Sequence, residues 1–199
     1  MVDTACRSTI LIAIGYKWPS VPRDEHIPWS FYANVYLHNP IGRNLIQNPN
    51  GKEKSGDGFA FEQPPAGSDQ VPVEAENDSK LVENACFSTS YHSCSKEQVI
   101  DLSALGINSE VIKQCKPKIH IIDWYAGRFD CGCVYEYEAK NLIADNVFEF
   151  RTNINQWEGR EWHKVEHCFK EYPDNVRFVK FYHGGTDRQF WAGHIMEQK

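Results

Sequence analysis

The stretch "IIDWYAGRFDCGCVYEYEA", residues 121–139, decides the fold. In "VYEYEA", Tyr135, Tyr137 and Ala139 alternate with Val134, Glu136 and Glu138. That period of two makes one face dry and one face wet, which is the pattern of a half-buried β-strand. The run before it, "IIDWY", is equally rich in β-branched and aromatic residues. Between the two lies Gly127-Arg128-Phe129-Asp130, a turn with Gly132 just beyond it. The stretch therefore reads as strand, turn, strand, with Trp124 and Tyr135 expected to pack the strands together.

The texture continues to both sides. "ACFSTSYH" and "QVIDL" precede it; "VFEFRTN", "WHKVEHCF" and "VRFVKFYH" follow. Breakers punctuate these runs at Asp145-Asn146, Glu158-Gly159, Pro173-Asp174-Asn175 and Gly184-Gly185. "VRFVKFYH" does not alternate cleanly, since Val176 and Phe178 share a face with Lys180 and Val179 shares one with Phe181, which predicts a bulge or a strand covered on both faces. "NSEVIKQC", residues 108–115, is the one helical candidate, with Asn108 or Ser109 as N-cap and Lys116-Pro117 as the stop. Many short strands and one short helix predict an all-β antiparallel sandwich.

The N-terminal part is different. Pro19, Pro22 and Pro28 break any helix, so residues 1–29 are expected to be an irregular segment. Residues 48–80 are rich in Pro, Gly, Asp, Glu and Ser and read as long loop, with "GFAFEQ" as a short strand inside it. The domain proper is expected over residues 30–199.

Composition narrows the function. The chain has 199 residues, enough for one domain with a real core. A net charge of −6 argues against nucleic acid and against an anionic membrane surface, both of which call for a basic face. The apolar run Ile10–Ile14 is too short for a membrane span or the core of an export signal. Seven cysteines at irregular spacing point to free thiols in a reducing compartment, and so to the cytoplasm.

Nothing in the sequence calls for a catalyst, a metal or another cofactor. Cys131-x-Cys133 lacks both the usual zinc spacing and a second ligand pair downstream, so two packed thiols are expected. His163 and His167 lie in a strand-like run, where four residues span roughly 13 Å, too far for one ion. No nucleophile elbow or phosphate-cradling loop is present. "HGGTDRQFWAGH", residues 183–194, is more suggestive. Adjacent Phe190 and Trp191 follow turn residues, and in an extended segment they cannot both face a core. One reading places an aromatic at a loop tip as a binding anchor, where the C–H face of a sugar ring would rest on it. The other has both rings bridging the sheets.

"IIDWYAGRFDCGCVYEYE", "EYPDNVRFVKFYHGGTDRQFWAG" and "GRNLIQNPNG…GDGF" together resemble the F-box-associated domain of F-box proteins that recognise N-glycans. The resemblance covers roughly residues 30–194. It implies a jelly-roll-like antiparallel β-sandwich of the galactose-binding-domain-like kind. It also implies a recognition role in ubiquitin-dependent quality control, with loops at one end gripping the chitobiose core of a glycoprotein ligand. Carried over by motif, the binding residues are Tyr91, Asp130, Phe190 and Trp191. Phe190 stands where strong glycan binders have tyrosine, and Ala192 where they have lysine. The resemblance further implies a missing closing strand after "FWAG" and no complete F-box ahead of the domain, hence no Skp or cullin adaptor. In that respect the chain is similar to the nonspecific cytotoxic cell receptor branch of the family, which carries the associated domain alone and acts as an interaction domain at the cell periphery or surface.

Overall fold

The strand–turn–strand at residues 121–139 is the hinge between two sheets. β6 (Lys118–Gly127) runs into the turn, and β7 (Cys133–Asn141) leaves it in the opposite sheet. The computed structural model describes residues 6–15, 33, 37–38, 40–49, 60–63, 68–69, 86–128, 130–141, 147–158 and 161–190. Besides β6 and β7 it contains β1 (Cys6–Gly15), β2 (Ala60–Gln63), β3 (Ser68–Asp69), β4 (Cys86–Ser88) and β5 (Cys94–Asp101). After β7 come β8 (Val147–Ile154), β9 (His163–Phe169) and β10 (Phe178–Asp187). Among the described residues every strand pairing is antiparallel, in two five-stranded sheets ordered β3-β4-β1-β6-β9 and β2-β5-β10-β7-β8. The expected all-β, jelly-roll-like sandwich is the architecture found.

Period two explains the core. In β7 the predicted face is buried, with Tyr135, Tyr137 and Ala139 all in the interior. Tyr135 stacks flat on Tyr125 of β6, ring centroids 4.6 Å apart, and this pair joins the sheets. Phe181 of β10 meets Tyr137 edge-on at 5.2 Å. The far end is closed by Leu102, Ile107, Tyr172, Val176 and α1 (Ser109–Cys115), which carries Val111 and Ile112 inward. Asn108 caps α1 by accepting from the Val111 amide at 3.0 Å. Lys116 ends it in the left-handed region, ahead of Pro117.

Four expectations need correction. Residues 6–15, inside the segment expected to be irregular, form β1, which lies between β4 and β6. The apolar run Ile10–Ile14 pairs there, and the helix-breaking prolines all lie beyond Gly15. Second, β10 carries no bulge and alternates cleanly. Phe178 and Lys180 do share the half-buried outer face of the strand, and Val176 belongs to the turn before it, where its amide bonds to the Pro173 carbonyl. Third, Trp124 is not in the core between the sheets. Asp123 points inward and Trp124 outward, the reverse of what hydrophobicity dictates. Fourth, "ACFSTSYH" gives a strand of only three residues, β4, and residues 89–93 form a loop. The expected absence of a closing strand falls on residues 191–199, outside the described residues.

Candidate functional site

Four loops meet at the end of the sandwich where β5 and β7 begin and β8 and β10 finish. They are residues 89–93, between β4 and β5; 128 and 130–132, between β6 and β7; 155–158 and 161–162, between β8 and β9; and 188–190, after β10. Side chains and backbone amides brace them together. Asp187, buried at the end of β10, accepts from the Thr89 hydroxyl at 2.7 Å, and its amide donates to the Ser90 carbonyl at 2.9 Å. The Arg188 amide donates to the Gly132 carbonyl at 2.8 Å, and the Gly132 amide donates to the Gln189 side chain at 2.6 Å. Gln156 donates to the Asp130 carbonyl at 3.0 Å. The rim is thus one bonded unit, not four independent loops.

Three of the four residues singled out in the sequence fall on this rim. Tyr91 and Phe190 pack edge-on, ring centroids 5.0 Å apart, and both remain exposed, at 46% and 62%. Asp130 sits in the neighbouring turn, half-buried, with Arg128 bonded to both of its carboxylate oxygens, at 2.6 and 3.0 Å. That pairing fixes the carboxylate's direction and leaves its remaining lone pairs as acceptors. Trp191 lies outside the described residues. The alternative that Phe190 bridges the sheets does not hold, because its ring is on the surface.

Several rim residues carried no sequence signal. Asp187 is a buried brace between loops. Trp157 is 59% exposed with φ at 71°, a conformation that turns usually reserve for glycine or asparagine. Gly132 is needed for close approach: a Cβ there would lie 2.9 Å from the Ile154 carbonyl oxygen and 3.0 Å from the Gln156 nitrogen. Cys131 and Cys133, on either side of it, are buried in the hydrophobic core as packed thiols, as expected. Nothing in the sequence distinguished Trp157 from a core aromatic.

Below the rim, the interior holds charged groups that hydrophobic patterning misses. Asp123 of β6 accepts through Oδ2 from the Tyr135 hydroxyl and lies 3.0 Å from His183 Nδ1 of β10. Lys96 of β5 is buried beside them, its ammonium 3.5 Å from the centre of the Phe87 ring. Burial holds the Lys96 pKa well below the ordinary lysine value, and the Asp123 charge offsets part of that. Burial likewise pushes the Cys94 thiol pKa up, which keeps it protonated. Asp123 thus links one sheet to the other in the interior.

Comparison with known proteins fits this architecture. A family model described as the F-box associated region matches residues 36–198. F-box only protein 6 of Bos taurus is 37% identical over 186 residues, covering 87% of this chain and 68% of that protein. The Homo sapiens F-box only protein 6 is 34% identical over 186 residues, covering 87% and 62% respectively. F-box only protein 17 of Homo sapiens is 30% identical over 206 residues, covering 96% and 70%. The chain thus spans about two thirds of the length of these relatives. No helix of the described residues is long and apolar enough to cross a membrane.

Proposed function

The chain belongs to the F-box-associated family, and from that premise we propose that it is a non-catalytic recognition module for glycoproteins. In this reading it selects substrates for ubiquitin-dependent quality control in the cytoplasm, and its rim takes the chitobiose core of an N-glycan. The observation that carries the reading is the exposed Tyr91–Phe190 pair beside the turn of Asp130. A pyranose presents C–H groups on one face and hydroxyls at its edge. An aromatic surface receives the first, and a fixed carboxylate accepts from the second. Trp191, next in the chain to Phe190, is proposed to complete the platform.

A second reading is favoured by a specific departure. Phe190 presents a ring with no phenolic hydroxyl on the rim, and the chain has alanine at 192, outside the described residues, where the resemblance sets a lysine, so fewer polar groups are at hand for a glycan. An apolar rim suits a protein ligand.

Titration with chitobiose, read by tryptophan fluorescence, separates the two. The first reading expects a saturable change at up to millimolar sugar that disappears in Trp191→Ala. No change, or a change that persists in Trp191→Ala, leaves the protein-ligand reading standing. A glycan array then ranks ligands for a protein that responds.

A further inference from the structure

β8 ends the order β2-β5-β10-β7-β8, and it pairs with β7 without interruption from Val147 opposite Lys140 to Ile154 opposite Cys133. The direction of its amides follows from the ladder. The Arg188 amide bonds to the Gly132 carbonyl, one step beyond the Asp187–Cys133 pair, so even-numbered residues of β7 bond to β10. Cys133, Tyr135, Tyr137 and Ala139 therefore bond to β8, at Ile154, Thr152, Phe150 and Phe148. The amides and carbonyls of Val147, Glu149, Arg151 and Asn153 point outward, and among the described residues nothing bonds to them.

The other sheet edges are blunted. β2 has four residues and a register shift between Phe61 and Gln63, and β3 has two residues. β9 carries Lys164 and Glu166, both exposed. β8 has eight residues, no bulge, and neither lysine nor proline. Such an edge is a template for another strand. We propose that a second copy of this chain occupies it, with β8 antiparallel to β8 about a two-fold axis at Phe150, so that the two sheets join into one.

Charge selects both the partner and the register. Val147, Glu149, Arg151 and Asn153 are all exposed and share the outer face. In the proposed register Glu149 stands opposite Arg151 of the second copy, and Arg151 opposite its Glu149. Sliding the pairing by two residues sets Glu149 opposite Glu149, or Arg151 opposite Arg151, and like charges directly opposite destabilise a sheet. Within its own sheet Glu149 lies opposite Glu138, whose carboxylate is taken by Lys140 at 2.6 Å, and Glu149 has no ion pair among the described residues. Arg151 reaches Glu136 at 2.8 Å with 68% of its side chain exposed, so its guanidinium keeps donors for a second carboxylate.

The inner face fits the same register. Phe148 and Phe150 are half-buried, and Phe148 stacks on His167 of β9 at 4.4 Å, which closes the interior behind the edge. Phe150 faces its own copy across the axis in a non-hydrogen-bonded pair, where side chains approach most closely and aromatic pairs stabilise. The two copies run in opposite directions, so their rims lie at opposite ends of the joined sheet. The pairing does not depend on what the rim binds.

Sedimentation velocity of the full 199-residue chain from about 1 to about 200 μM, the span of weak to moderate association, tests the proposal. The wild type should shift from a species of 23.0 kDa to one of twice that mass. Glu149→Arg and Arg151→Glu each set like charges opposite at both symmetric contacts, and each should weaken the dimer by about 10-fold or more. Both positions are exposed, so both variants keep the fold. An equimolar mixture of the two should restore the dimer, because every contact between 149 and 151 then joins opposite charges. A wild type that stays at 23.0 kDa throughout overturns the proposal and leaves the edge to a strand of another protein. A dimer that survives both substitutions also overturns it, since it uses another surface. A mixture that fails to pair contradicts the register and overturns it as well.

Discussion

Phe190 closes edge-on against Tyr91 at 5.0 Å between ring centroids, although one follows the last described strand and the other precedes β5. Two exposed aromatics in contact hold each other's rotamers, so each is pre-organised for a ligand by the other. A double-mutant cycle with Tyr91→Ala and Phe190→Ala should give a coupling in ligand binding of about 0.5–1.5 kcal/mol. Additive losses would mean that the rings act separately. Adding the missing polar groups, as Phe190→Tyr with Ala192→Lys, should strengthen chitobiose binding by roughly 5- to 10-fold, about one hydrogen bond's net contribution. A weaker or unchanged affinity would place the sugar elsewhere.

Gly132 provides a test of the brace itself. A methyl group at this position collides with the backbone at Ile154 and Gln156 and forces the 130–132 turn away from the 155–158 turn. Gly132→Ala should cost about 1–3 kcal/mol in denaturant unfolding, in the range of other overpacking changes. It should also weaken ligand binding more than its stability loss explains, because Asp130 moves with the turn. Near wild-type stability would mean that the rim tolerates a shift the described geometry does not.

The sandwich was legible because period two survives in β7, where Tyr135, Tyr137 and Ala139 alternate with two glutamates. The rim was legible only where a motif marked it, at Tyr91, Asp130 and Phe190. Trp157 was not, because exposure is a tertiary property and an aromatic in a strand-rich sequence is first read as core. Asp123 was missed for the opposite reason. Its burial depends on partners from β7 and β10, which no local pattern reveals. β1 was obscured by the proline-rich stretch that follows it, since strand pairing with β6 is a long-range event.

That pairing predicts a strong truncation effect. β1 bonds along its whole length to β6, from Cys6 opposite Gly127 to Gly15 opposite Lys118, and its first residues also pair with β4. Removing residues 1–15 leaves the inner side of β6 without a ladder and separates β3 and β4 from the sheet. Unpaired interior backbone groups are costly. The truncated chain should lose cooperative thermal unfolding or aggregate, followed by circular dichroism and light scattering. A sharp transition close to that of the full chain would contradict a central position for β1.

His167 gives the stability a pH dependence. The ring lies on edge strand β9, stacked on Phe148 at 4.4 Å and edge-on to Phe169 at 4.5 Å. Burial lowers its pKa below the ordinary histidine value of 6.5. Just below that value the unfolded chain therefore binds more protons than the folded one, and stability falls as pH falls through the window. His167→Phe should keep the stacking and flatten the fall in melting temperature between about pH 7 and pH 5. An NMR titration should place the His167 midpoint below that of an exposed histidine, and a midpoint at or above 6.5 would contradict the packing argument.

Asp123 is the position whose loss should be felt throughout the fold. Its Oδ2 is the acceptor shared by the Tyr135 hydroxyl and the ring of His183, and its charge favours the ammonium of buried Lys96. Asp123→Ala removes that acceptor and leaves a lysine in the interior without the nearby negative charge. Breaking a buried pair from one side costs about 3–5 kcal/mol. Asp123→Asn keeps an acceptor of the same shape and should cost less, so the difference between the two variants isolates the role of hydrogen bonding from that of charge. Because Asp123 also ties β6 to β7 and β10, the strands that lead into Asp130 and Phe190, both variants should weaken ligand binding in step with their stability loss. A cost below about 1 kcal/mol for Asp123→Ala would show that the cluster is tolerated by the sandwich and does not hold its sheets in register.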